Sequence, residues 1–142
     1  MRHYLLTLAL AVAIAFPAAG EAMAARLIAD VDLSSQTMTV KKDGRVLYRW
    51  PVSTARPGKV TPVGTFRPQR MHRKWRSTIY GSNMPYSIFF RGPYAIHGTS
   101  AVSRLGSPAS AGCVRLHTSN AKRLFDLTRQ VGPGNMRVRI RH

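Results

Sequence analysis

The chain has 142 residues, with 22 Lys or Arg against 5 Asp or Glu, a net charge of +17 and a single cysteine. That length holds one domain plus any leader. One Cys closes no internal disulfide, and the few scattered acids supply neither the paired carboxylates of glycoside hydrolysis nor a carboxylate cage for Mg or Ca.

Residues 1–24 read as a secretory leader. Arg2 and His3 open it, Tyr4 to Phe16 is uncharged and rich in Leu and Ala, Pro17 breaks the run, and Ala22-Met23-Ala24 offers a small-x-small cleavage site. A retained membrane anchor is the other reading, but the apolar run falls short of the roughly 20 residues a span requires. Cleavage leaves one domain, 25–142, with Asp30, Asp32, Asp43 and Asp126 as its acids. A surface this basic favours a polyanion. Export makes that an anionic envelope polymer or membrane surface rather than nucleic acid, with charge for solubility alone as the plain alternative.

Leu27 to Leu33, Gln36 to Lys42 and Arg45 to Val52 read as three short strands, the last two joined by the tight-turn pair Asp43-Gly44. Ser53 to Gly64 reads as a loop, punctuated by Pro57-Gly58 and Pro62, that leads into Thr65-Phe66. Arg67 to Gly92 lacks a period and carries Trp75, Tyr80 and Tyr86 among basic residues, which suggests a folded flap. Ser87 to Phe90 and Tyr94 to His97 read as strands flanking Gly92-Pro93. Thr118 or Ser119 caps a helix whose apolar positions are Ala121, Leu124, Phe125, Thr128 and Val131, and Gly132-Pro133-Gly134 ends it. Met136 to Arg141 alternates apolar and Arg, a half-buried strand. The fold class expected is mostly β, sandwich- or barrel-like, with one helix in the C-terminal half.

The chemistry gathers around Ser110-Ala111-Gly112-Cys113-Val114-Arg115-Leu116. Small residues before the Cys let the backbone bend and a substrate approach. Arg115 and the positive field would favour the thiolate, and acyl transfer further needs a base. His72, His97, His117 and His142 are the candidates within 25–142. His97 ends a strand and precedes Gly98, a good site position, although local sequence does not separate a structural from a catalytic role. No obvious Asp or Asn is at hand to orient an imidazole; a backbone carbonyl can do so. A structural zinc site wants four N or S ligands at short spacings, which one Cys and scattered His do not supply.

Ile96-His97-Gly98-Thr99 followed by Ser110 to Leu116 resembles the signature of the YkuD-type L,D-transpeptidases. Thr61-Pro62-Val63-Gly64-Thr65-Phe66 resembles their upstream element, and Ser119 to Leu127 is similar to the helix after their Cys. The resemblance covers 25–142. It implies a β-sandwich-like catalytic domain in which Cys113 attacks the bond after the third residue of a peptidoglycan tetrapeptide stem. D-alanine would leave, and an amine of a second stem or an envelope protein would take the acyl group. His97 would be the base and the Gly98 carbonyl its orienter. N–H groups around Gly112 and Cys113 would hold the oxyanion, Ser110 would shape the site, and Arg115 would meet a substrate carboxylate. Tyr80, Met84 and Tyr86 would bind substrate from the flap.

The resemblance implies sensitivity to carbapenems; no cofactor or metal is expected, and the signal with diaminopimelate-type chemistry fits a Gram-negative periplasm. Many members carry His before the Gly-Cys pair, where this chain has Ala111. Water as acceptor would give an L,D-carboxypeptidase instead. A non-catalytic basic wall-binding module is the other alternative, with Trp75 able to stack on a base if the partner were nucleic acid. Sortases place His and Cys much farther apart, and papain-like enzymes place Cys before His.

Overall fold

In a computed structural model, the structure describes residues 25–142 and the single position 13. The expected leader therefore lies outside the described residues apart from that position. Among the described residues no helix is long and apolar enough to cross a membrane.

The described residues form nine strands in two sheets and one α-helix. The first sheet begins as a meander of β1 (Leu27–Asp32), β2 (Thr37–Lys42) and β3 (Arg45–Pro51). Asp43 and Gly44 take φ of 49° and 78°, the left-handed pair that a two-residue hairpin requires. β4 (Gly64–Phe66) lies at the far edge of this sheet. In the second sheet run β5 (Arg70–His72), β6 (Ser87–Arg91), β7 (Tyr94–Thr99) and β8 (Val114–His117). The helix α1 (Thr118–Val131) leads to β9 (Met136–Arg141), which enters the first sheet between β1 and β4.

The mostly β architecture matches the sequence reading, and most strand bounds fall within a residue or two of it. Two strands are additional. β5 has only Met71 as an apolar residue, and β8 follows directly on the Gly-Cys pair, so neither carries a period long enough to show. The helix cap also lies one residue earlier than expected. His117 is the N-cap, its Nδ1 accepting from the Ser119 N–H at 3.2 Å.

Period-2 alternation in the strands builds the core. Leu27, Ala29 and Val31, Met38 and Val40, and Met136, Val138 and Ile140 turn to one face of the first sheet. They meet Ile88, Phe90, Ile96, Val114 and Leu116 of the second sheet and Leu124 and Phe125 of α1. The alternate residues of β6 and β7 face the other way. Phe89 and Ala95 join Met84 in a smaller buried cluster that Trp75 and Cys113 adjoin. The flap covers this side. Residues 73–86 fold back as a ribbon, with Tyr86 N–H bonded to Arg73 O at 2.9 Å, Met84 N–H to Trp75 O at 2.8 Å and Ser77 N–H to Ser82 O at 2.9 Å.

Candidate active site

β7 and β8 run parallel, with Ile96 opposite Val114 and His97 opposite Arg115. Ile96 and Val114 enter the main core. Alternation therefore sends Ala95, His97, Cys113 and Arg115 to the other face, under the flap. A parallel pairing of strands that lie apart in sequence brings the two ends of the signature together.

His97 is buried. Its Nδ1 lies 2.7 Å from the Gly98 carbonyl oxygen. That oxygen only accepts, so Nδ1 carries the proton and Nε2 keeps its lone pair. Burial lowers the His97 pKa to about 4; the Gly98 carbonyl opposes this and the Arg115 charge adds to it. The imidazole is thus neutral at physiological pH. Gly98 has no room for a side chain. A Cβ there would stand 2.9 Å from the Thr118 Cα and 3.1 Å from the Pro85 ring, where α1 begins and the flap ends.

The Cys113 thiol is half-buried and lies 3.7 Å from the Pro93 carbonyl oxygen. Burial raises its pKa, outweighing a hydrogen bond from the Ala95 backbone and the charge of Arg115. Arg115 does favour the thiolate, as expected from the sequence, but desolvation outweighs it and the thiol stays protonated at neutral pH. A neutral thiol and a neutral imidazole thus line the same cavity, and in such a pair a base acts as the bond forms.

Two hydroxyls and one backbone pair fix the chain around Cys113. Ser110 is fully buried, and its Oγ donates to Cys113 O at 2.6 Å while accepting from the Gly112 N–H at 3.0 Å. The Gly112 N–H, one of the two expected oxyanion donors, is thereby engaged. Thr61 Oγ1 donates to Gly112 O at 2.9 Å and accepts from the Ala55 N–H at 3.0 Å. Ser53 bonds Arg115 through both backbone groups, at 3.1 and 2.8 Å, and its Oγ lies 2.6 Å from Arg104 O. Gly112 has φ +139°, and a Cβ there would fall 2.6 Å from the Tyr94 ring and 2.8 Å from Val60 O.

A cavity of about 110 Å³ opens over the thiol, lined by Ile79, Tyr80, Ser82, Met84, Pro93, Tyr94, His97, Ala111, Cys113 and Arg115. It has room for one residue-sized group rather than a whole stem peptide. Ile79 and Tyr80 stand at the flap tip, 68% and 62% exposed. Arg115 Nε is buried and, among the described residues, has no partner. Arg115 also lines the cavity, and a guanidinium there suits a carboxylate on the ligand.

The structure thus brings His97, Cys113, Arg115, Met84 and Tyr80 to one cavity. Ser110, Gly112 and Gly98 lie behind its wall. It does not bring Tyr86 there: this residue turns back at φ +54° and packs edge-on against Phe125, 5.7 Å between ring centres. Sequence reasoning passed over Tyr94, Pro93 and Ile79. For Tyr94 the available signal was its position at the start of the strand that ends in His97.

The family model of the L,D-transpeptidase catalytic domain, YkuD, matches residues 26–140. The YkuD protein of Bacillus subtilis (strain 168) is 25% identical over 114 residues, 78% of this chain and 63% of that protein. The solved L,D-transpeptidase from Mycobacterium smegmatis superposes with a TM-score of 0.75 at 23% identity, over 82% of this chain and 59% of that one. The L,D-transpeptidase LdtMt1 in complex with imipenem gives a TM-score of 0.72 at 24% identity, with the same coverage of 82% and 59%. At such identities the two solved structures speak to the fold alone, and this chain spans about three-fifths of the length of all three relatives. Sequence match and fold agree that the chain belongs to the L,D-transpeptidase catalytic domain (YkuD) family.

Proposed function

We propose that this protein is a peptidoglycan L,D-transpeptidase with Cys113 as nucleophile and His97 as base. The observation that carries the reading is the shared cavity of a protonated thiol and a neutral, oriented imidazole. As Cys113 Sγ attacks the carbonyl after the third stem residue, its proton passes to His97 Nε2. The tetrahedral oxyanion collapses and the C–N bond breaks. His97 returns the proton to the leaving amine of D-alanine, and a thioester remains on Cys113. An amine of a second stem, or of an envelope protein, then attacks this thioester and gives its proton to His97; the C–S bond breaks, and His97 returns the proton to the leaving thiolate. The thiol is regenerated without any further reactant.

Arg115, which lines the cavity, is the residue suited to a stem carboxylate. The flap residues Tyr80 and Met84 flank the donor, and Tyr80 at the exposed tip closes over it. The small cavity suits one residue of the stem, the remainder lying across the open face. The leader pattern of 1–24 supports action outside the cytoplasmic membrane, and the net charge of +17 supports retention on anionic wall polymers.

Muropeptide analysis after incubation with disaccharide-tetrapeptides tests the acceptor. Cross-linked dimers with loss of D-alanine are expected. Tripeptides alone would make water the acceptor, and unchanged substrate would overturn the reading.

A further inference from the structure

β8 is held between β7 on one side and the 53–55 segment on the other. Ser53 bonds Arg115, and Ala55 lies beside Ser110. Thr61 belongs to the 53–55 side, since its Oγ1 accepts from the Ala55 N–H at 3.0 Å. The same hydroxyl donates to Gly112 O at 2.9 Å, so the Gly112 carbonyl points away from β7. The described chain contains no cis peptide, so the N–H of the Gly112–Cys113 unit points opposite to its C=O. It therefore faces β7, the side on which Pro93, Tyr94 and the thiol border the cavity. The Gly112 N–H is already bonded to Ser110 Oγ at 3.0 Å, which leaves the Cys113 N–H as the donor of this turn that can meet a ligand.

We propose that Thr61 is a positioning residue for oxyanion stabilisation: its hydroxyl locks the Gly112–Cys113 peptide so that the Cys113 N–H faces the cavity. Three features make this a lock. Thr61 is buried, its hydroxyl has one donor and one acceptor in place, and Gly112 at φ +139° has the freedom to swing if released. Without the hydroxyl, the Gly112 carbonyl loses its partner, and the peptide can rotate and carry the N–H off the cavity. Thr61 touches neither substrate nor thiol and acts through the peptide alone. The inference rests on the transpeptidase reading.

The test compares D-alanine release from a soluble tetrapeptide stem with alkylation of Cys113 by iodoacetamide, which develops no oxyanion. Removing one oxyanion donor typically costs about 10²–10³ in kcat. Thr61→Val should lower kcat for D-alanine release by roughly tenfold or more, with KM little changed. Alkylation should stay within about twofold of wild type, and Thr61→Ser should recover most of the turnover. Thr61→Ala serves the same comparison if the valine variant does not fold. Release within about threefold of wild type in the valine or alanine variant would overturn the inference. So would a parallel fall of release and alkylation, or a serine variant no better than valine, since either makes Thr61 a general support of the loop. Wild-type protein that alkylates normally yet releases no D-alanine would sink the transpeptidase reading itself, and this inference with it.

Discussion

His97 Nδ1 lies 2.7 Å from the carbonyl oxygen of Gly98, its own neighbour in β7. This bond needs no acidic side chain, which suits a chain with only five acids. It also ties tautomer to backbone: the carbonyl that follows His97 fixes which nitrogen is free, and the strand fixes where that nitrogen stands. Burial then keeps the ring neutral down to a pKa of about 4.

That depressed pKa makes a stability prediction. Unfolded His titrates near 6.5. Between about 6.5 and 4 the unfolded chain binds a proton that the folded His97 refuses, so stability is full above 6.5 and falls as pH drops through this window. The full effect is on the order of 3 kcal/mol. Asp32 and Asp126 are held below the usual carboxylate range by Ser34 and Lys122, so their losses fall at lower pH. Urea unfolding of wild type and His97→Gln at pH 7 and pH 4.5 checks this. The variant should lose clearly less stability on acidification. Equal losses would mean that His97 titrates normally.

A carbapenem should acylate Cys113. LdtMt1, which shares this fold, has been solved in complex with imipenem. Intact-protein mass spectrometry should show a single imipenem adduct on wild type and none on Cys113→Ala. A thiol that reacts with iodoacetamide but not with imipenem would argue for another class of cysteine enzyme.

The basic surface should make wall binding salt-dependent. Arg73, Lys74 and Arg129 share a surface depression with His72 that contains none of the residues around Cys113. Exposed charges are screened over about 10 Å at 0.1 M salt. Binding to purified sacculi should weaken steeply from 50 to 300 mM NaCl, while turnover of a soluble stem changes about twofold or less. Lys74→Ser with Arg129→Ser should weaken sacculus binding and spare soluble turnover. Salt-insensitive binding, or loss of both properties together, would contradict a separate anchoring role. Arg70 is a poorer probe, because its guanidinium stacks 3.9 Å over the Phe89 ring and holds the flap base together.

Much of this fold is legible in alternation alone. Met136, Val138 and Ile140 against three Arg define β9, and Asp43-Gly44 marks the β2–β3 hairpin without help. β5 and β8 are too short to show a period, and β8 is the strand that sets Cys113 beside β7. That His97 and Cys113 share one cavity was legible through the motif. The place of Thr61 was not, because a contact between positions 61 and 112 depends on sheet order. Tyr86 was assigned to the site because an aperiodic flap does not reveal which way its aromatics face; the backbone turn at φ +54° sends it to Phe125 instead. Trp75 likewise packs edge-on against Phe89 at 5.5 Å rather than standing free to stack on a base. The pull of Arg115 on the thiol was legible, but the larger opposing effect of burial was not, since charge is visible in a sequence and desolvation is not.

The most direct test of the central claim is D-alanine release from a tetrapeptide stem by wild type, Cys113→Ala and His97→Ala, each checked for an unchanged melting profile at pH 7. Release should be lost entirely in Cys113→Ala, which removes the nucleophile and little packing. In His97→Ala it should fall by about 10² to 10⁴, the usual worth of a general base. Release near the wild-type rate in Cys113→Ala would contradict the cysteine mechanism outright.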